Sequence, residues 1–218
     1  MNVGNLVKES LKAIPEPTLR RLPIYHQYLK KIDKEDFISC TTIANDLCLE
    51  AIQVRKDISL TGIVGKPQVG YSVKQLMSAI EDFLGWNNVM DAFLVGVGSL
   101  GSAILGYKGF EKYGLNILAG FDVDDSKVGT EIHRKKIYHI EKLPSLIKRM
   151  KIKIGILTLP ASCAQEIANT MVEAGIKALW NFSPIKITTR EEIIVLNENL
   201  AASLAVLSKK LQEQQNRN

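Results

Sequence analysis

The chain has 218 residues, of which 46% are hydrophobic and 23% charged, with a formal net charge of +5. These values are ordinary for a soluble globular protein of one large or two small domains. No apolar run reaches the roughly 18 residues of a membrane span, and the opening MNVGNLVKESLKAIPEP lacks the apolar stretch of a signal peptide, so a cytoplasmic location is expected.

Cys40, Cys48 and Cys163 are odd in number and form no CxxC pair, and His26, His133 and His139 show no metal-ligand spacing with them. Reduced thiols and no structural zinc are expected. Cys163 follows Pro160 at a helix start, a place that favours a thiolate, but a small packed side chain is the simpler reading. Charge is unevenly spread: residues 1–31 (Lys8, Lys12, Arg20, Arg21, Lys30, Lys31, Glu9, Glu16) sum to +4, residues 32–50 to −4 and residues 51–74 to +3. Such blocks serve as solvated surface, or fold to present one positive face to nucleic acid.

In chain order, Pro17-Thr18 opens a helix whose apolar stripe is Leu19, Leu22, Tyr25, Leu29 and Ile32. Thr41 or Thr42 then caps a short helix ending at Asp46 or Leu47, a break follows near Cys48, and a second helix runs from about Glu50 to Leu60. This second helix has Gln53, Arg55, Lys56 and Ser59 on polar positions, with Ile52 and Ile58 expected to pack inward. Two short helices joined by a tight turn make a helix-turn-helix, which reads DNA or simply packs. Arg and Gln suit the major groove, where a guanidinium pairs with guanine and a carboxamide with adenine. The stretch GIVGKPQVGYSV resembles a β-wing, with turns at Gly62, Gly65 and Gly70 and with Lys66 near the tip. A helix carrying Leu76, Ile80, Phe83 and Leu84 should stop at Gly85, which places a domain boundary near 85–88.

From residue 91 onward, strands and helices alternate. A buried strand, Ala92 to Val95, leads into Gly96-Val97-Gly98-Ser99-Leu100-Gly101 and then an apolar helix to about Lys112. The glycines permit a tight turn and close approach of the backbone to a pyrophosphate at a helix N-terminus. The next strand, NILAGF, ends in Asp122, 21 residues past Gly101, where a carboxylate accepts ribose hydroxyls and repels a 2′-phosphate. NAD(H) is therefore favoured over NADP(H), with another nucleotide or coenzyme A as the alternative. KKIYHI, KIGILTL, ALWNF and IIVLN continue the strands, and EKLPSLIKRM and ASCAQEIANTMVEAG the helices. Thr158-Leu159-Pro160 and Asn181-Phe182-Ser183-Pro184 fall at strand ends, the places that carry ligands in open α/β sheets, unless their prolines only stop strands. A final helix bears Leu200, Leu204, Leu207 and Leu211, a stripe that a partner subunit would cover.

The stretches LRRLPIYHQYL, AIQVRKDIS, VGYSVKQL, GVGSLGSAILGYKGF, FDVDDSKVG, LPASCAQEIA and AGIKALWNFSP, with the terminal helix, resemble the Rex repressors colinearly from about Pro15 to Leu207. The resemblance implies an N-terminal winged-helix domain (1–86), a Rossmann NAD(H)-binding domain with a parallel sheet (87–198) and a terminal helix swapped between subunits (199–218). It also implies a homodimer that holds inverted-repeat operators and is released by NADH. Carried over by position, Arg20, Arg21, Arg55, Lys56 and Lys66 contact DNA, and Thr41, Gln53, Ser59 and Tyr71 complete that face. Gly96 to Gly101, Asp122, Lys127 and the Thr158-Leu159-Pro160 turn contact the dinucleotide, with Tyr107 near the nicotinamide; Val123, beside Asp122, and the strand-end Asn181, Phe182 and Ser183 are counted with them. The chain departs from the family pattern at Ser99 (commonly Asn), Cys48 (often Gly) and Pro67-Gln68 (usually Arg-Gly). Gln27 and Asn199 stand where an Arg and an Asp often pair across the dimer. An NAD-dependent dehydrogenase with a helical accessory domain is the competing reading. It lacks a strand-end Lys, His or Asp in a setting suited to acid-base work.

Overall fold

The computed structural model describes residues 14–33 and 36–216. Lys8, Glu9, Lys12, Lys34 and Glu35, which enter the charge blocks, lie outside the described residues, as does the side chain of Leu200. The chain divides into two compact units between Asn88 and Val89.

In the first unit, α1 (Glu16–Leu29) starts after an extended Pro15 and carries Pro17 in its first turn, where a missing N–H is harmless. Its buried face is Thr18, Leu22, Tyr25, His26 and Leu29. Leu19, expected on that stripe, is instead exposed, being turned about 100° from Thr18. Ile32 lies beyond the helix end. The cap of α2 (Cys40–Asp46) is Ser39 rather than Thr41 or Thr42: its backbone is extended and its Oγ accepts the Thr42 N–H at 3.0 Å. Cys48 adopts φ 54°, so the turn into α3 (Ala51–Ser59) uses a left-handed residue without glycine. Helix α3 buries Val54, Asp57 and Ile58, while Ile52, expected inside, is 65% exposed. Two-residue strands β1 (Phe37–Ile38) and β2 (Tyr71–Ser72) pair antiparallel, and Lys66 bridges Gly70 to close the wing turn. Gly70 must be glycine, because a Cβ there would sit 2.3 Å from the Ile38 carbonyl oxygen. Helix α4 (Val73–Leu84) packs Val73, Leu76 and Ile80 into this core and ends at Gly85, φ 71°.

The second unit is a seven-stranded sheet made of β3 (Met90–Val95), β4 (Leu115–Asp122), β5 (Glu131–Ile132), β6 (Lys135–His139), β7 (Ile154–Leu157), β8 (Ala178–Asn181) and β9 (Ile194–Asn197). Its order is β5-β6-β4-β3-β7-β8-β9, and only β5 runs antiparallel to its neighbour. Without β5 this is the doubly wound order with its switch point between β3 and β7. Both faces are covered, as the alternation along β3 shows: Phe93 and Val95 join one apolar cluster, Ala92 and Leu94 another. Helices α5 (Ser99–Gly106), α6 (Leu143–Met150) and α7 (Ala161–Ala174) supply the coverings.

Helix α5 does not continue to Lys112. It stops at Gly106, Tyr107 is extended, and a 3₁₀ turn covers Lys108–Tyr113. The His133 ring explains the glycine, since a Cβ on Gly106 would lie 2.5 Å from it. That ring belongs to the β5–β6 hairpin, whose turn residues His133 and Arg134 both have positive φ. Helix α8 (Leu200–Gln215) leaves Leu204, Val206, Leu207 and Leu211 more than half exposed. No helix among the described residues is long and apolar enough to cross a membrane.

Candidate dinucleotide cavity and nucleic-acid interface

The glycine loop between β3 and α5 is shaped by contacts only hydrogen-sized side chains allow. Gly96 has φ 94°, and a Cβ on it would lie 2.6 Å from the Thr158 carbonyl oxygen. At Gly101 a Cβ would lie 2.0 Å from the Gly96 carbonyl oxygen. Gly98 faces open space, so nothing stands between its backbone and an incoming anion. The Thr158 hydroxyl clamps this loop, donating within reach of the Val95 and Gly96 carbonyls at 3.1 and 2.6 Å. The first amides of α5 are left without intrahelical partners and point, with the positive end of the helix dipole, into the space the loop encloses.

At the end of β4, Asp122 binds this loop to the next one. Its carboxylate accepts the Val97 amide at 2.8 Å, the Val123 amide at 2.8 Å, the Asp124 amide at 3.0 Å and the Lys127 ammonium at 3.3 Å. Burial acts to raise its pKa, but the Asp124 and Val97 amides and Lys127 outweigh that, so the carboxyl stays below its usual range. A cavity of about 630 Å³ opens between these parts. Gly96, Gly98, Ser99, Leu100, Gly101, Asp122, Val123, Lys127, Thr158, Leu159, Pro160 and Phe182 line it, all expected from sequence. Pro184, at the end of the second strand-end stretch, also lines it, as do Ile140, Cys163 and Ile167, which were not expected there.

Four expected residues sit elsewhere. Val97 is buried and presents only its amide to Asp122. Asn181 is fully buried, donating to the Ile185 carbonyl and to Asn197 while accepting the Ser183 amide. The buried Ser183 hydroxyl accepts the Leu159 amide at 3.1 Å. Both therefore brace the loops from beneath instead of lining the space, because side-chain direction reverses at each residue leaving β8. Tyr107 is 57% exposed and lines a separate hollow with Phe110, His133 and Arg134.

In the first unit, Thr41, Arg55, Lys66 and Tyr71 converge on a groove of about 380 Å³ between α2, α3 and the wing. The wing turn is held by Lys66 and Gly70 amides at 2.7 and 3.0 Å, with Gln68 at its tip in a left-handed conformation. The Lys66 ammonium lies over the exposed Phe37 ring at 4.5 Å from its centroid, a cation–π contact at the wing. Lys56 and Ser59 are exposed on α3, and the exposed Arg20 pairs with Glu16 one turn earlier at 2.8 Å.

Arg21 and Gln53 do not share that freedom. Both point at Asp57, which is wholly buried and accepts Thr18 Oγ1 at 2.8 Å, Arg21 Nε at 2.6 Å and Nη2 at 3.0 Å, Tyr25 OH at 2.7 Å and Gln53 Nε2 at 3.0 Å. Burial alone would raise the Asp57 pKa, yet these donors, Arg21 first, hold it below the ordinary value. Burial also pushes the Tyr25 phenol upward, helped by Asp57. Sequence reasoning counted Asp57 only as a negative charge. The signal was its place on the apolar Val54–Ile58 face, where a carboxylate needs partners. Gln27 is exposed on α1, and Asn199 caps α8, its Oδ1 accepting the Ala202 amide at 3.1 Å. Among the described residues no group of His, Cys, Asp and Glu is arranged to hold a metal, and all three cysteines are free thiols.

A winged helix-turn-helix followed by a Rossmann unit with a carboxylate-ended second strand defines a nucleotide-responsive DNA-binding protein. Comparison with known proteins narrows this class. Residues 13–59 match the family "Putative DNA-binding protein N-terminus" and residues 87–185 match "CoA binding domain". The chain is 52% identical to the redox-sensing transcriptional repressor Rex of Treponema denticola over 88% of this chain and 92% of that one. It is 44% identical to the Rex of Bacteroides fragilis over 97% of each. Among solved structures it resembles RSP, a Rex-family repressor, in complex with β-NAD⁺ and operator DNA, with TM-score 0.87 and 34% identity over 94% of this chain and 95% of that one. RSP in complex with β-NADH matches with TM-score 0.84 at 34% identity, over 94% and 97% of the two chains. The chain belongs to the Rex family of redox-sensing transcriptional repressors. The relatives named are repressors, which displaces the dehydrogenase reading.

Proposed function

We propose that this chain is a cytoplasmic, NADH-released repressor that binds an inverted-repeat operator as a homodimer. The observation that carries this is the presence on one chain of two sites: the groove joining Thr41, Arg55, Lys66 and Tyr71, and the cavity joining the 96–101 loop to Asp122. Residues 1–86 serve DNA, 87–198 the dinucleotide and 199–218 dimerisation, in which a second copy covers the exposed Leu204, Leu207 and Leu211. Arg55 reads a base, Lys56, Lys66 and Arg20 meet phosphates, and Thr41, Ser59 and Tyr71 fill the interface between them.

In the cavity, the α5 amides and Gly98 receive the pyrophosphate, Asp122 and Lys127 the adenosine ribose, and Thr158, Leu159, Pro160 and Phe182 the nicotinamide half. A carboxylate beside the ribose opposes coenzyme A as well as NADPH, because both carry an extra phosphate on that sugar. The test is selection of operators from a random duplex library, followed by fluorescence anisotropy with NAD⁺, NADH, NADPH and coenzyme A. NADH alone should weaken operator binding. Failure to select a sequence, or release by coenzyme A and not NADH, would overturn the reading.

A further inference from the structure

We infer that Arg21 is a positioning residue rather than a DNA contact: with Asp57 it fixes the helix that reads the operator. This rests on the repressor reading above and adds a role within it.

Asp57 lies in the last turn of α3 and points to the core, while Arg55 and Ser59 are each two residues away and so about 200° round the helix, facing outward. Its donors Thr18, Arg21 and Tyr25 lie on three successive levels of α1. Arg21 grips both carboxylate oxygens side-on, through Nε to Oδ2 and Nη2 to Oδ1. Contacts at three levels along one helix to one carboxylate of another fix sliding and rotation together. A shift of α3 by one residue, about 1.5 Å, would break them all. The guanidinium spends two of its three nitrogens on this fork and is mostly covered, with 23% of the side chain exposed, whereas the neighbouring Arg20 is 59% exposed. Gln53 adds a fifth bond from within α3, which takes its carboxamide away from adenine recognition.

The two roles for Arg21 respond oppositely to lysine. A phosphate contact keeps its charge in Arg21→Lys, but a side-on fork has no lysine equivalent. Full-length parent, Arg21→Lys and the neutral double variant Arg21→Gln/Asp57→Asn are compared on the selected operator and on a scrambled duplex, across a salt series. The double variant leaves no unpaired buried charge, and thermal melting of each protein verifies its fold. Arg21→Lys should lose about 5- to 150-fold in operator affinity, the range for one disturbed base contact, with scrambled-DNA affinity unchanged. The double variant should weaken the operator to the same extent and keep the parent's salt slope. Lys66→Ala, the comparison, should lower that slope by about 0.9 for each phosphate the protein no longer neutralises. Retained operator affinity in Arg21→Lys together with a reduced slope in the double variant would overturn the inference and make Arg21 a phosphate contact. A parent that binds no operator would overturn the repressor reading, and this inference with it.

Discussion

Asp122→Asn isolates the charge that should make the cavity choose NADH over NADPH. Asparagine keeps the shape and one acceptor oxygen; turned to Val97 and Lys127, that oxygen keeps the glycine loop's anchor, while the Nδ2 amine then faces the Val123 and Asp124 amides, which lose their acceptor. A 2′-phosphate on the bound ribose would lie about 5 Å from the carboxylate, and at an effective dielectric constant of about 20 the repulsion is about 3 kcal/mol. The Lys127 ammonium, 3.3 Å from Asp122 and 3.2 Å from Asp124, offsets roughly half of this. About 1.5 kcal/mol survives, or roughly tenfold in affinity. The substitution removes that repulsion and frees Lys127 from one of its two carboxylates, so NADPH should gain about tenfold. NADH should lose about fivefold, because a charge-assisted bond to the ribose becomes a neutral one. Titration calorimetry with both nucleotides measures the ratio, and melting verifies the fold. A preference within twofold of the parent's, in a folded variant, refutes the assignment of Asp122 to the ribose.

Gly101→Ala should abolish NADH binding, since its Cβ has 2.0 Å to the Gly96 carbonyl oxygen and the loop must open; intrinsic titration of NADH measures the loss. Cys48→Gly should stabilise the protein by about 1 kcal/mol in a denaturant melt, because φ 54° strains a residue with a Cβ and the exposed thiol gives up no packing. Asp57 and Asp122 both have depressed folded-state pKa values, so their contribution to stability is present above the unfolded value of about 3.9 and is lost as pH falls through the lower folded values. Acid melts of the parent should steepen below about pH 4, and Arg21→Gln/Asp57→Asn should flatten that part of the curve.

The parts legible from sequence are those where backbone geometry dictates residue type. The 96–101 loop is an example: a Cβ on Gly96 or Gly101 would fall within 3 Å of a backbone oxygen, so their spacing is forced and the spacing announces the site. Gly85 is similar, being left-handed at a helix end. Side-chain direction was harder to read. Ile52 and Ile58 differ by six positions, or about 240° on a helix, so one stripe cannot bury both, and Val54 takes the inward place. Asn181 and Ser183 lie at a strand end as expected, yet they alternate with Phe182, and only Phe182 turns to the cavity. Strand β6 is expected from KKIYHI, but its hairpin with β5 is not, because His133-Arg134 is a turn pair without Gly or Asn. The Asp57 network joins residues 39 apart, a pairing that helical periodicity within either segment does not specify.

The two amides at Gln27 and Asn199 can be weighed against what local folding asks of them. Asn199 already has a task within its own chain, since its Oδ1 caps α8 by accepting the Ala202 amide. Asparagine and aspartate cap about equally well, and the aspartate charge adds about 0.3–1 kcal/mol at a helix N-terminus. Local folding of α8 therefore does not explain why the charge is missing. The resemblance to the family pairs position 199 with position 27 of the second subunit, and a charge at 199 facing the neutral Gln27 would lose solvation without gaining a partner. Asn199→Asp alone should then leave α8 capped but weaken NADH-driven release of the operator. Adding Gln27→Arg should reverse the loss and make release stronger than in the parent, because a ligand shifts an equilibrium only by its differential affinity and the ion pair adds to the DNA-free side. Operator affinity with and without saturating NADH, for the parent, both single variants and the double variant, gives the coupling directly. Additive effects would mean that the two positions do not meet in either state, and would leave the helix cap as the whole role of Asn199.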